Sequence, residues 1–149
     1  FDVGCYPISA ILSIFSNQKI KIVDSFKGKE KSEGVDVEGK AHLIVNKKTH
    51  CFLEWSYNSS YRNEIDIWGS EGSLYTDKIF SKPSDYVPHL QIRDDKGGLS
   101  QEKVNSNNHF KSMLLDFLNT TEKPEKLDSE RNRILNLAGF LDKIKDNRT

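Results

Sequence analysis

Two rhythms of apolar residues run along this 149-residue chain. Ile8, Ile11, Leu12 and Phe15 recur at helical spacing, which predicts an amphipathic helix over about 3–16, ended by Asn17. Pro7 fits that helix only within its first turn, so Asp2 lies at or just before the N-terminus. A long stretch of period-2 alternation follows: Ile20 and Ile22; Val35 and Val37; Ala41, Leu43 and Val45; Cys51, Leu53 and Trp55. Ile65 and Ile67, then Leu74, then Leu90 and Ile92 continue it. Alternation with polar partners predicts half-buried strands of a largely antiparallel sheet. Turn signals punctuate it at Glu33-Gly34, Asn46-Lys47-Lys48, Asn58-Ser59-Ser60 and Gly69-Ser70-Glu71-Gly72. Helical spacing then returns twice. Phe110, Met113, Leu114, Phe117 and Leu118 mark one helix, capped by Asn107 or Asn108. Ile134, Leu135, Ala138, Leu141 and Ile144 mark another, with Asp128 or Ser129 as its cap. The order predicts an α+β fold, an open and mostly antiparallel sheet with helices packed on one face. The pattern does not say what covers the other face.

Composition narrows the function classes. The length suits one domain with a real core. Lys and Arg number 22 against 22 Asp and Glu, so no general positive field invites nucleic acid. Lys19, Lys21, Lys27, Lys29 and Lys31 form the densest basic group, and a solvated lysine edge or face of a strand accounts for them. No apolar run reaches the ~20 residues that a membrane-spanning helix needs. Cys5 and Cys51 have no paired spacing, which predicts free thiols and a reducing, cytoplasmic setting. The start lacks the basic region of a secretory signal, so the sequons at Asn58, Asn119 and Asn147 read as chance.

Few residues carry recognisable chemistry. His42, His50, His89 and His109 are dispersed without metal-ligand spacing, so no metal site is expected. No G-x-S-x-G nucleophile turn and no G-x-G-x-x-G dinucleotide turn occurs. Gly69-Ser70-Glu71-Gly72 lacks a following Lys-Ser/Thr and reads as a hairpin turn that uses the backbone freedom of glycine. Asp2 and Tyr6 remain. Four apart on a helix they would share a face, where a carboxylate and a phenol can grip one substrate. A phenol, with a pKa of ~10, is a protonated donor at neutral pH and can protonate a carbonyl oxygen as hydride reaches its carbon. The plainer alternative stays open, in which Asp2 caps the helix and Tyr6 packs its ring.

The stretch Asp2-Val3-Gly4-Cys5-Tyr6-Pro7-Ile8 resembles the D-x-G-x-[HY] motif that opens the C-terminal domain of the Gfo/Idh/MocA (glucose-fructose oxidoreductase / inositol dehydrogenase) family. The likeness continues in order with Gly34-Val35-Asp36 before a strand pair, with "RNEIDIWGSEG" from Arg62, and with "NHFKSMLLDF" from Asn108. It implies an NAD(P)-dependent oxidoreductase in which 1–149 is the C-terminal substrate-binding and oligomerisation domain, dihydrodipicolinate-reductase-like in fold. The N-terminal Rossmann domain, which would bind most of the NAD or NADP, is absent from this chain. The isolated chain is therefore expected to be inactive. By motif, Tyr6 stands at the proton donor/acceptor position and Asp2 at the substrate-orienting carboxylate. The segment "YRNEIDIWGSEGSLYTDKIFSKP" resembles family members that reduce nucleotide-linked keto-sugars, and Arg62 there could meet a phosphate or hydroxyl. An ion pair of Arg62 with Glu64 or Asp66 is the alternative. The open sheet face implies a homo-oligomer. Glu122-Lys123-Pro124 imitates the family's Glu-Lys-Pro but follows a helix and lies downstream of the Asp-Tyr motif, so it reads as a loop with a helix-stopping proline. The competing functional reading is a non-catalytic binding or dimerisation domain on the same scaffold.

Overall fold

A computed structural model describes residues 2–28 and 36–146. Lys29, Lys31, the Glu33-Gly34 turn, Val35, the first two residues of Gly34-Val35-Asp36, and Asn147 lie outside them. The described residues form two compact units, Phe1–Ser60 with Leu127–Thr149, and Tyr61–Lys126.

The first unit is built on strands whose alternation leaves one face apolar. β1 (Ile20–Lys27), β2 (Glu38–Val45) and β3 (Thr49–Ser56) form an antiparallel three-stranded sheet in that order. On its inner face Ala41, Leu43, Val45, Cys51, Leu53 and Trp55 are all buried. Helix α1 (Cys5–Ile14) contributes Ile8 and Ile11 to that core. Helix α3 (Pro124–Asp146) contributes Phe140 and Ile144. Both helices thus share the one apolar face, as the period-2 pattern requires. Ser25 reaches across from β1 and donates to the carbonyl of Ile144 at 3.3 Å, satisfying an acceptor that the last turn of a helix leaves open. The β2–β3 turn is a left-handed pair, Asn46 and Lys47 both having positive φ, which matches the twist of a hairpin. Asn46 fits because its amide also bonds the backbone of Lys19 and the side chain of Gln18.

One close approach fixes the register. Gly39 faces Trp55 across the strands, and a Cβ there would stand 2.3 Å from the indole and 2.9 Å from the Phe26 carbonyl. Only glycine lets the indole lie flat over the strand. Trp55 Nε1 then donates to Oδ2 of Asp36 at 2.7 Å, and Asp36 is fully buried.

In the second unit β4 (Glu64–Gly69), β5 (Gly72–Asp77), β6 (His89–Asp94) and β7 (Leu99–Lys103) make an antiparallel meander. Gly69-Ser70-Glu71-Gly72 is the β4–β5 hairpin turn, closed by the Gly69 and Gly72 pair. Gly72, at φ +149, passes so close to the Arg93 carbonyl that a Cβ would collide with it. Helix α2 (His109–Thr121) starts at the expected cap, Asn108 accepting from the Lys111 amide at 3.0 Å. Its apolar residues Phe110, Met113, Leu114, Phe117 and Leu118 are all more than half exposed.

Two elements differ from expectation. α3 begins at Pro124, not near Asp128 or Ser129, because a proline suits the first helical position, where no amide bond is needed. Pro124 therefore starts a helix and does not sit in a loop. β7 carries no apolar alternation and is exposed throughout, so only its pairing with β6 makes it a strand.

The fit around Gly39 yields a test of the register. Gly39→Ala should destabilise the protein by about 1–3 kcal/mol, the usual cost of overpacking a full site, and should move Trp55 fluorescence. Urea unfolding with tryptophan emission measures both.

Candidate active site

The start of α1 and the end of β3 bring the polar groups together. Cys51, Leu53, Trp55 and Tyr57 share one parity, so Tyr57 projects on the side of the sheet that α1 covers. Its amide donates to the Val37 carbonyl at 2.7 Å, extending the β2–β3 pairing past the strand ends. Val37 follows the buried Asp36 held by Trp55. Tyr57 is thus set beside the buried Trp55–Asp36 contact.

Asp2 does not cap the helix. Gly4 is the N-cap, and no side chain bonds the first helical amides. Asp2 precedes the helix in irregular backbone, where its carbonyl accepts from Cys5 Sγ at 3.0 Å. Its carboxylate oxygen Oδ2 accepts from the Tyr57 hydroxyl. Tyr6 lies in the first turn of α1, its amide bonded to the Val3 carbonyl at 3.2 Å and its side chain 44% exposed. The helix cap is therefore Gly4 and not Asp2, whose carboxylate is engaged by Tyr57.

Electrostatics mark Tyr57. Tyr57 is pushed up to about 12, chiefly by the hydrogen bond it donates to Asp2, with partial desolvation and the charges of Asp2 and Asp36 adding to it. Tyr6 is near enough to contribute as well. A phenol raised this far stays protonated at neutral pH and serves as a fixed donor. Because the folded value lies above the ordinary ~10, the stabilisation from this contact is complete below that pH and is lost as pH rises through about 12. The Cys5 thiol is also raised, first by burial.

Arg62 belongs to the other unit and has its own partners there. Its Nε lies 2.5 Å from Glu64 Oε1, and its side chain is 69% exposed. The guanidinium holds the Glu64 carboxyl below the usual range, and the Tyr75 hydroxyl supports it from 3.0 Å. The ion-pair alternative describes this conformation. On the outer face of the first sheet, His42 Nε2 and His50 Nδ1 are 2.9 Å apart, and both rings stack with Phe52. The sequence reading treated these two histidines as dispersed, although both fall on the outward parity of facing strands.

The residues missed were Tyr57, Asp36 and Trp55. The parity of Cys51, Leu53 and Trp55, carried two residues further, was the signal that could have found Tyr57. An exposed carboxylate beside two phenols offers acceptors and donors to a hydroxylated carbonyl compound.

No family model matches the chain. Among curated proteins, the chain is 28% identical over 95 residues to the dTDP-3,4-didehydro-2,6-dideoxy-alpha-D-glucose 3-reductase of Actinomadura kijaniata, covering 62% of this chain and 28% of that one. The Streptomyces antibioticus enzyme of the same name is 24% identical over 145 residues, 96% of this chain and 43% of that one. The chain thus spans less than half the length of these relatives. The crystal structure of KijD10, a 3-ketoreductase from Actinomadura kijaniata in complex with TDP-benzene and NADP, superposes with a TM-score of 0.87 at 23% identity. That match covers 98% of this chain and 46% of the other. By sequence the chain is similar to these 3-reductases over part of their length, and it shares the fold of the matched part of the KijD10 structure.

Proposed function

We propose that this chain is the C-terminal substrate-binding domain of an NAD(P)-dependent reductase acting on a nucleotide-linked keto-sugar. The observation that carries the reading is the contact of Asp2 with Tyr57 beside the exposed Tyr6. It supplies the acceptor and donors that a sugar carbonyl and its neighbouring hydroxyl need, on a fold shared with keto-sugar reductases. When bound, the nicotinamide supplies the hydride to the carbonyl carbon. Tyr6 donates its phenolic proton to the carbonyl oxygen as negative charge develops there, and solvent returns the proton. Asp2 accepts from an adjacent sugar hydroxyl and fixes the ring. Tyr57 is not the proton donor in this reading, since its proton is committed to Asp2.

Three further assignments belong to this reading. NADP is the first cofactor to test, because KijD10 was crystallised with it. Arg62 meets a phosphate of the nucleotide when it leaves Glu64, its exposed fork being suited to that geometry. Self-association uses the outer face of the β1–β3 sheet, where Phe52 is 75% exposed above the paired histidines. Free thiols at Cys5 and Cys51 suit a reducing cytoplasm, and among the described residues no helix is long and apolar enough to cross a membrane.

The decisive experiment is Tyr6→Phe in the full-length protein, followed by NADPH oxidation with a dTDP-linked keto-sugar. Turnover should fall by ~10²–10⁴-fold, the usual contribution of a general acid; retention within a few-fold would remove Tyr6 from the proton path. Arg62→Ala should raise KM for the nucleotide-sugar about tenfold, as expected for one charge-assisted bond, with kcat little changed. Phe52→Glu should shift sedimentation velocity toward the smaller species, and an unchanged profile would exclude that face.

A further inference from the structure

The proposed active site pairs two groups of unequal backbone support. Asp2 sits in irregular chain ahead of α1, where its carbonyl accepts from Cys5 Sγ. Tyr57 leaves the sheet between two anchors. On one side Trp55 is buried over Gly39 and bonded to Asp36. On the other, the Tyr57 amide is bonded to Val37, next to that same Asp36. The hydroxyl of Tyr57 on Oδ2 of Asp2 ties the second group to the first.

We propose that Tyr57 is a positioning residue, which locks the rotamer of Asp2 so that its carboxylate meets the substrate hydroxyl in one orientation. The role rests on the reading of Asp2 as the substrate-orienting carboxylate. An ionised carboxylate has about four lone-pair sites, and one phenol occupies only one of them. Oδ1 and the rest of Oδ2 remain for substrate. Because Tyr57 keeps its proton across the working pH range, the direction of the bond never reverses and Asp2 is always the acceptor. A carboxylate preset in this way avoids ordering at the moment of binding, and small losses of such alignment cost rate steeply. The contact also gives the site its selectivity. A sugar whose adjacent position lacks a hydroxyl leaves the aimed oxygen unpaired.

The test is a double-mutant cycle in the full-length protein with Tyr57→Phe and Asp2→Ala, read as kcat and KM for the dTDP-linked keto-sugar with NADPH. Phenylalanine keeps the ring and removes only the hydroxyl. Tyr57→Phe alone should lower kcat/KM by about 10- to 100-fold, mostly through KM, and should cost nothing more once Asp2 is alanine. An equal cost in both backgrounds would overturn the proposal, since a packing role is independent of the carboxylate. A second readout needs no turnover. The Tyr57 ¹³Cζ resonance should titrate near pH 12, and Asp2→Ala should bring that midpoint down toward ~10. An unmoved midpoint overturns the contact itself. If the wild-type enzyme reduces no keto-sugar while Asp2→Ala still moves the midpoint, the reductase reading is what fails, and the positioning role falls with it.

Discussion

The indole of Trp55, laid over Gly39 and bonded to Asp36, is the contact on which the first unit depends. A carboxylate buried without a donor is costly, so Asp36 holds Trp55 in one place and Trp55 holds Asp36. The space for that indole exists only where the facing strand carries no Cβ. A slip of β2 by one residue against β3 would put a side chain under the ring and turn Leu43 away from the face that keeps Leu53. The register is therefore specified twice, by apolar parity and by this one steric fit.

From that contact the chemistry at the rim follows in short steps. The buried pair sets Val37, Val37 sets Tyr57, and Tyr57 sets Asp2. Each link passes from the buried core toward the exposed lead into α1. The two phenols differ in their surroundings. Tyr57 is committed to a carboxylate, whereas Tyr6 stands in the first turn of the helix with its ring partly in solvent.

Much of this was legible in the residues alone. Parity gave β1 to β6 and the inner face, helical spacing gave the three helices, and Asn108 marked a helix start that the structure keeps. β7 was invisible because Leu99-Ser100-Gln101-Glu102-Lys103 buries nothing, and pairing alone defines it. The start of α3 was misplaced because a proline after a helix end reads equally as a stop and as a first helical residue. At the site, Asp2 and Tyr6 announced themselves by spacing and motif. Tyr57 did not, because a contact between residues 55 apart in sequence depends on how the helix lies on the sheet. The Pro7 constraint placed Asp2 at or just before the helix N-terminus, and it does precede the helix, whose N-cap is Gly4.

The first unit is also discontinuous, the second being inserted between Ser60 and Leu127. The bond from Ser25 to Ile144 closes a loop of 119 residues, and Phe140 and Ile144 complete a core begun by Ile8 and Leu43. A ribosome releasing this chain from its N-terminus would therefore hold the β1–β3 sheet with its apolar face incomplete until the last helix emerged. The inserted meander consists of neighbouring hairpins and can pair as it is made. Between these two units synthesis order and assembly order are thus inverted: the segment translated earlier is the one that must wait, with Leu43, Leu53 and Trp55 open to aggregation or to a chaperone in the interval.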